Sequence, residues 1–170
     1  SHREHLDEVL WTSEVINGRV PMIVGAGSNC TREAIDLGQQ VEEKLGPTTF
    51  LETTGYYLKP GVEAAVCHYI NVANSLKGNV VLYNVPGRVI TRLDADSVVF
   101  MHRKFPNKFI GLKQADPDPS GMENSRIILE RTSRDKFNLV SGEDDKVYGL
   151  MDMGASGVIS ATANACPKLF

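Results

Sequence analysis

Short apolar runs rich in β-branched residues recur about every 30 residues along this chain, and this rhythm restricts its possible folds more than any other feature. Between the runs lie polar stretches with helical patterns. Strands that alternate with helices in this way predict βαβ units and a parallel sheet. We therefore expect strands at residues 20–24, 48–51, 79–83, 108–113, 138–140 and 157–160.

Helical patterns fill the intervals and also precede the first strand. The strands are almost continuously hydrophobic, which is typical of strands buried on both faces. With 170 residues, 42% of them hydrophobic, the chain is large enough for one core, and we expect a single domain. The predicted helices cover residues 2–16, 31–45, 62–76, 93–103, 122–132 and 145–153.

Polar, glycine or reactive residues follow almost every predicted strand. A (β/α)8 TIM barrel gathers such strand ends around one mouth, whereas a doubly wound sheet concentrates them at one switch point. We therefore favour the barrel. A complete barrel takes about 250 residues, so we expect residues 1–170 to hold about six βα units and to lack the first two strands and the C-terminal helices.

Composition excludes several classes of function. The net charge is −3 and no run of Lys and Arg appears, so we expect no nucleic-acid partner. No apolar stretch approaches the roughly 20 residues that span a bilayer, so no membrane role is expected. Cys30, Cys67 and Cys166 are widely spaced and odd in number, which suits a reducing cytoplasm, and we expect them to be packing residues.

Lys113 ends one predicted strand, and Tyr83 and Arg88 lie at the end of the preceding one. A lysine desolvated in a barrel mouth loses its proton more easily and can attack a ketone, although a strand-end lysine is commonly a surface residue. Tyr83 could relay a proton, or be a half-buried strand aromatic. Arg88, after a Pro-Gly turn, could bind a carboxylate bidentately, or be a solvated loop residue. Together they predict an imine-forming site for a keto acid.

Other motifs are weaker. Gly25-Ala26-Gly27 lacks the third glycine of a dinucleotide fingerprint and is typical of a tight turn before a helix, so no cofactor is expected. His2 and His5 lie three residues apart but have no third ligand at a recognisable spacing, so no metal is expected. The acidic run 143–145 is predicted to cap the helix that follows it.

Six segments make the chain resemble the pyruvate-dependent class I aldolase family, typified by dihydrodipicolinate synthase and N-acetylneuraminate lyase. The resemblance covers essentially all 170 residues. Its segments are GRVPMIVGAGSN (18–29), GYYLKP (55–60), YNVPGR (83–88), GLK (111–113), SGED (141–144) and GVISATAN (157–164).

The resemblance implies roles for particular residues. It implies that Lys113 forms an imine with pyruvate and that Tyr83 relays protons. Arg88 favours the dihydrodipicolinate synthase branch, in which it would orient the carboxylate of aspartate semialdehyde. Tyr57 would be lent to the neighbouring subunit's site, within a homotetramer built as a dimer of dimers, and the backbone of Ile159 would contact pyruvate. The Thr-Thr pair that links the lysine and tyrosine chemistry in the family would precede Ser1, so residues 1–170 alone should be an incomplete catalyst.

The resemblance also predicts a regulatory site and shows local departures. Residues at the positions where feedback-sensitive synthases bind L-lysine are His2, His5, Asn29, Glu33 and Tyr56. Helix-surface polarity and interface packing are the other explanation for this set. Gln114 stands where the family usually has Glu, the loop 116–119 is unusual, and Val89-Ile90 replaces a small pair, changes that could alter the aldehyde site.

We therefore expect a cytoplasmic lyase that condenses pyruvate with L-aspartate 4-semialdehyde through a Lys113 Schiff base, in diaminopimelate and lysine biosynthesis. Two alternatives stay open. One is another 2-keto-acid aldolase that acts on a sugar acid. The other is a non-catalytic barrel that keeps the pocket as a small-molecule sensor or assembly partner.

Overall fold

One sheet of six parallel strands, in the order β1-β2-β3-β4-β5-β6, forms the centre of the protein. The computed structural model describes residues 1–169. Each strand pairs with the next one along the chain and the order never reverses, so the sheet is a segment of a (β/α)8 barrel wall and has no switch point. The strands are β1 (Ile23–Gly25), β2 (Thr49–Thr53), β3 (Val80–Asn84), β4 (Phe109–Gln114), β5 (Asn138–Ser141) and β6 (Gly157–Val158).

Helices precede or follow the strands as the sequence pattern predicts. The first two helices have the predicted bounds. The helix predicted at 122–132 begins earlier, at Pro119. Proline is compatible with a first helical position because it lacks the N–H that would be unpaired there. A short helix after β3 was not predicted. The helices are α1 (His2–Ile16), α2 (Thr31–Leu45), α3 (Val62–Ser75), α4 (Pro86–Val89), α5 (Ala95–Lys104), α6 (Pro119–Arg131) and α7 (Val147–Met153).

The core lies on the outer, helix-facing side of the sheet. Leu82, Leu112 and Leu139 occupy one register row on that side, and all three are buried. The inner, concave side is more open and forms an apolar trough of about 310 Å³ lined in part by Ile110 and Val140. Burial on both faces, expected from the hydrophobic strands, is therefore complete only on the outer side.

Two sequence-based expectations are wrong. Cys30, Cys67 and Cys166 are all exposed free thiols rather than packing residues, because Cys30 precedes α2 at its solvent-facing end and Cys67 lies on the outward face of α3. The acidic run does not cap α7 with a side chain. A 3₁₀ turn, Asp144–Lys146, leads into that helix instead.

Two buried glutamates differ sharply in their surroundings. The carboxylate of Glu42, on α2, accepts hydrogen bonds from the backbone N–H groups of Lys77 (2.7 Å) and Gly78 (2.6 Å). Glu52, on the outer face of β2, is 0% exposed, and neither carboxyl oxygen has a hydrogen-bond partner within residues 1–169. Burial raises the pKa of Glu52 to about 8, because an ionised carboxylate is poorly stabilised away from water.

The raised pKa of Glu52 predicts a pH-dependent stability. Since the folded state holds this proton more tightly than the unfolded chain, the free energy of unfolding falls as pH rises from about 4.5 to about 8 and then levels off. Glu52→Gln should remove this contribution and raise the free energy of unfolding above pH 8 by on the order of a few kcal/mol. Urea denaturation across this pH range measures it.

Glu42→Gln is the matched control, because it changes a buried glutamate whose two oxygens are both hydrogen bonded. That variant should be destabilised, since one charge-assisted acceptor is lost. If the unmodified protein and Glu52→Gln gave parallel stability curves across the pH range, a neutral Glu52 in the folded state would be ruled out.

Candidate active site

Tyr83 and Lys113 face each other across neighbouring strands. They are register partners on β3 and β4, and paired positions of parallel strands point to the same face of the sheet. The Lys113 Nζ atom lies 4.4 Å from the centroid of the Tyr83 ring. Thr53 and Val140 continue the same row on β2 and β5, on the concave side near the strand ends. The predicted pairing of the lysine with the tyrosine is thus present in the fold.

The register of this pair depends on an irregularity in β4. Val80 pairs with Phe109 but Val81 pairs with Gly111, so Ile110 is an extra residue in β4. Without this shift Tyr83 would pair with Leu112. Because successive side chains alternate between faces, Lys113 would then point to the outer core.

The Lys113 side chain is half-buried in a mixed electrostatic environment. Desolvation lowers the pKa of Lys113, while the nearby charges of Glu143 and Asp144 raise it in part. The side chain passes close to Gly142, where an added Cβ would lie 2.9 Å from Lys113 Cε. Glycine at this position therefore leaves room for the lysine. A lysine with a lowered pKa presents more neutral amine, the form that attacks a carbonyl.

Arg88 lies close enough to Tyr83 to affect the pKa of its phenol. Burial, followed by the negative charge of Glu143, raises the pKa of Tyr83, and the positive charge of Arg88 lowers it in part. Tyr83 therefore keeps its phenolic proton at neutral pH and can donate it. Arg88 lies on α4, is exposed and takes part in no ion pair within residues 1–169. Its guanidinium is therefore available to a carboxylate.

The ends of β5 and β6 are tied together beside the lysine. The Asp144 carboxylate accepts a hydrogen bond from Thr162 Oγ1 (2.5 Å), and hydrogen bonds from Ser160 and Thr162 lower the pKa of Asp144. The Ile159 N–H donates to the Ser141 carbonyl (2.9 Å). A contact between the Ile159 backbone and a ligand would therefore use its carbonyl oxygen.

Tyr57 is not brought to Lys113 within this chain. Its side chain is 86% exposed on the loop after β2, and its φ of 69° lies in the left-handed region, which is uncommon for a residue with a Cβ. The loop therefore holds Tyr57 outward in a specific conformation. Its role in a neighbouring subunit stays a prediction.

The predicted regulatory residues lie around the N-terminal ends of α1 and α2. His2 Nε2 is 4.0 Å from Glu33 Oε2, which also accepts a hydrogen bond from Ser28 Oγ (2.8 Å). Tyr56 lies on the loop after β2, where Gly55 approaches the Asn29 carbonyl oxygen. His5 is further along α1 and lines a cleft between that helix and β1. The fold thus brings His2 and Glu33 together and places Asn29 and Tyr56 on adjoining loops, and L-lysine binding stays a prediction.

Gln114 faces away from the site, so it does not line the space above Lys113. It is buried on the outer side, where its Oε1 accepts from Asn84 Nδ2 (2.7 Å) and its Nε2 donates to Ser125 Oγ (3.2 Å). The two-residue period of the strand could have revealed this, because Lys113 and Gln114 are adjacent. Val89 is likewise buried, beside Val85 and Ala115.

Sequence reasoning missed an ion pair at the mouth. Arg92 Nε lies 2.5 Å from Oδ2 of the fully buried Asp116, and Arg92 Nη2 donates to Asp116 Oδ1 (3.1 Å). Asp118 also pairs with Arg92. The unusual run Asp116-Pro117-Asp118-Pro119 was the only signal, since nothing in the sequence connects it with Arg92.

No metal or membrane feature accompanies the site in the part of the chain that the structure describes. Within residues 1–169 no three His, Cys, Asp or Glu residues lie close enough together to hold a metal ion. None of the helices described there has the length and apolarity to cross a membrane.

Comparison with known proteins gives consistent matches. The model of the dihydrodipicolinate synthetase family matches residues 1–170. The 4-hydroxy-tetrahydrodipicolinate synthase of Methanocaldococcus jannaschii is 38% identical over 170 residues, which are 100% of this chain and 56% of that protein. The chain thus spans about half the length of the curated relatives it matches.

Solved structures agree with these matches. A chloride-inhibited dihydrodipicolinate synthase from Acinetobacter baumannii, complexed with pyruvate, is 36% identical with a TM-score of 0.88 over 99% of this chain and 55% of that one. The synthase of Cyanidioschyzon merolae, with lysine bound, is 30% identical with a TM-score of 0.87 over 96% of this chain and 53% of that one.

Removing the charge of Glu143 should change the pKa of Lys113. Because Glu143 raises the pKa of Lys113, Glu143→Gln should lower it further, and the neutral amine should predominate from a lower pH. Labelling with acetic anhydride across a pH series, followed by mass spectrometry of the Lys113 peptide, measures this pKa. Asp145→Asn is the control, because Asp145 pairs with Lys146 rather than facing the lysine. An unchanged or higher Lys113 pKa in Glu143→Gln would contradict the electrostatic account.

Proposed function

Because this chain belongs to the dihydrodipicolinate synthetase family, we propose that it carries the imine-forming site of a lyase that condenses pyruvate with L-aspartate 4-semialdehyde. The reaction would lead towards diaminopimelate and lysine. The observation that carries this proposal is the Lys113–Tyr83 pair, with the amine 4.4 Å from the ring centroid and its pKa lowered by burial. Because the chain spans about half of its relatives, the activity is proposed for the whole protein of which this chain is a part.

The first half of the reaction would join pyruvate to the lysine. The neutral Lys113 amine adds to the keto carbon of pyruvate, and the carbonyl oxygen takes a proton from the Tyr83 phenol and becomes a hydroxyl. The added nitrogen returns a proton to the Tyr83 phenolate. Tyr83 then donates this proton to the hydroxyl, which leaves as water, and the nitrogen's second proton restores the phenol. This gives an imine between Lys113 Nζ and the former keto carbon. The raised pKa of Tyr83 supports its role as the proton donor, because the phenol stays protonated at neutral pH.

The second half would form a carbon–carbon bond. Loss of a proton from the methyl group of the imine gives an enamine, whose carbon attacks the aldehyde carbon while the aldehyde oxygen gains a proton. The amino group that came with the semialdehyde then attacks the imine carbon, closes a ring and releases the Lys113 amine. The negative charges of Glu143 and Asp144 beside Lys113 would stabilise the cationic imine.

Arg88 supports a carboxylate-bearing second substrate. Its guanidinium is near enough to influence Tyr83, is exposed, and is not engaged by an acidic partner within residues 1–169. A planar guanidinium binds a carboxylate bidentately. An aldolase acting on a keto-deoxy sugar acid is the rival in the same class, and turnover with each substrate separates the two.

Assembly and regulation are proposed on separate grounds. The outward Tyr57, 86% exposed with a left-handed backbone, suits a residue contributed to a neighbouring subunit within a dimer of dimers. The proximity of His2 to Glu33, 4.0 Å apart, suits an L-lysine site at the same interface, where Glu33 would pair with an ammonium group. The lysine-bound synthase of Cyanidioschyzon merolae supports this second proposal.

Reductive trapping tests the imine. The protein is incubated with pyruvate and sodium borohydride, and peptide mass spectrometry should locate one reduced pyruvate on Lys113. Lys113→Met should give no adduct. Lys108→Met is the control because Lys108 immediately precedes the same strand but donates to the Lys77 and Gly78 carbonyls, and this variant should still be labelled. A folded protein that is labelled elsewhere, or not at all, would leave the non-catalytic barrel as the better account.

A further inference from the structure

Three loops at the mouth of the sheet meet at Ile90–Arg92. These loops carry Tyr57 after β2, Arg88 after β3, and the residues that follow Lys113 after β4. The Thr91 hydroxyl donates to the Pro60 carbonyl (2.7 Å), which ties the Arg88 segment to the Tyr57 loop. The ion pair of Arg92 with Asp116 ties it to the loop after β4.

The Arg92–Asp116 contact has the form of a rigid clamp. It combines a 2.5 Å ionic contact between Nε and Oδ2 with a 3.1 Å hydrogen bond from Nη2 to Oδ1. The Asp116 side chain is 0% exposed, so water cannot replace the guanidinium at low cost. The backbone of Gly121 packs closely against Asp116 on the other side, since a Cβ added to Gly121 would lie only 2.4 Å from the Asp116 carbonyl oxygen.

The clamp restrains an unfavourable backbone conformation at Ile90. Its φ of 69° and ψ of −45°, with a 2.8 Å hydrogen bond from Thr91 N to Val89 O, define a γ-turn centred on a β-branched residue. Such a backbone persists only where the surroundings fix it. The bonds of the next two residues, Thr91 and Arg92, supply that restraint. Ile90 lies two residues after Arg88, so relaxation of this turn would move the helix that carries the guanidinium.

The clamp also forms a wall of a cavity at the mouth. A space of about 360 Å³ lies between the loops after β3 and β4, lined by Gly87, Ile90, Arg92, Asp116 and Asp118 among others. Gly87, one of its lining residues, directly precedes Arg88. A change in the clamp would therefore change both the direction of Arg88 and the room beside it.

We propose that Arg92 is a positioning residue that, through Asp116, sets the Arg88 guanidinium relative to Lys113 and so determines binding of the second, carboxylate-bearing carbonyl substrate. The proposal rests on the proposed function, since it concerns the acceptor that the Lys113 imine meets. Arg92 itself does not touch pyruvate in this scheme. Pyruvate capture and acceptor binding should therefore respond differently to its loss.

The test compares Arg92→Ala and Arg92→Lys with Arg131→Ala. Arg131 forms a similar arginine–aspartate pair with Asp96 (2.6 Å), but that pair joins α5 to α6 rather than the loops of the mouth. In Arg92→Ala the KM for aspartate semialdehyde should rise about tenfold or more, while kcat and the KM for pyruvate change by less than about twofold. Arg92→Lys keeps the positive charge but not the planar, two-pronged guanidinium. Its KM for aspartate semialdehyde should therefore lie between those of Arg92→Ala and the parent protein.

A second measurement does not depend on turnover. Hydrogen–deuterium exchange in residues 86–92 should quicken in Arg92→Ala and stay at the parent rate in Arg131→Ala. Asp116→Asn, which keeps the shape of the side chain but removes its charge, should reproduce the Arg92→Ala result in both assays.

The outcomes separate the two proposals. Absence of a pyruvate adduct in the unmodified protein would overturn the proposed function. A normal adduct in every variant, with the acceptor KM of Arg92→Ala equal to that of Arg131→Ala, would overturn the positioning role alone. Equal rises in the KM values for pyruvate and acceptor would also overturn it, because they would mean a general loss of structure.

Discussion

The one-residue shift at Ile110 is the constraint on which the candidate site depends. It sets Tyr83 opposite Lys113, and without it the lysine would point into the apolar core with Leu82 and Leu139. A buried hydrogen bond on the opposite side of the sheet holds this register, from Asn84 to Gln114 at 2.7 Å. Gln114 is therefore a support for Lys113 rather than part of its pocket. The register shift and the Asn84–Gln114 hydrogen bond together explain how the Lys113 side chain is held opposite Tyr83.

The electrostatics of the site arise from incomplete burial. Desolvation lowers the pKa of Lys113 and raises that of Tyr83, so both groups are shifted towards their neutral forms. The negative charge of Glu143 raises the pKa of both residues, and in Lys113 it partly offsets the lowering by desolvation. Arg88 stays uncommitted within residues 1–169, whereas Arg92 is fully engaged by Asp116 and Asp118. Two arginines four residues apart therefore differ in their surroundings, since only Arg92 is held by carboxylates within residues 1–169.

Much of the fold and part of the site were predictable, for physical reasons that differ between residues. The rhythm of apolar runs predicted the parallel strands, and the bounds of α1 and α2 were correct because caps and amphipathic periods are local. Exposure of Cys67 was not predictable, because helix faces depend on what packs against them. Glu52 and the Arg92–Asp116 pair were missed because charged residues are ordinarily solvated, and only the fold shows that Glu52 and Asp116 are buried.

The sequence by itself determined the alternation of strands and helices, the residue types at the strand ends, and the resemblance that singled out Lys113, Tyr83 and Arg88. These are local properties, carried by periodicity and short motifs. The tertiary structure alone decided which face each side chain takes, because that depends on register across strands, and the shift at Ile110 cannot be read from either strand separately. It also decided that Asp116 meets Arg92, since 24 residues separate them and only folding brings the buried carboxylate to its guanidinium.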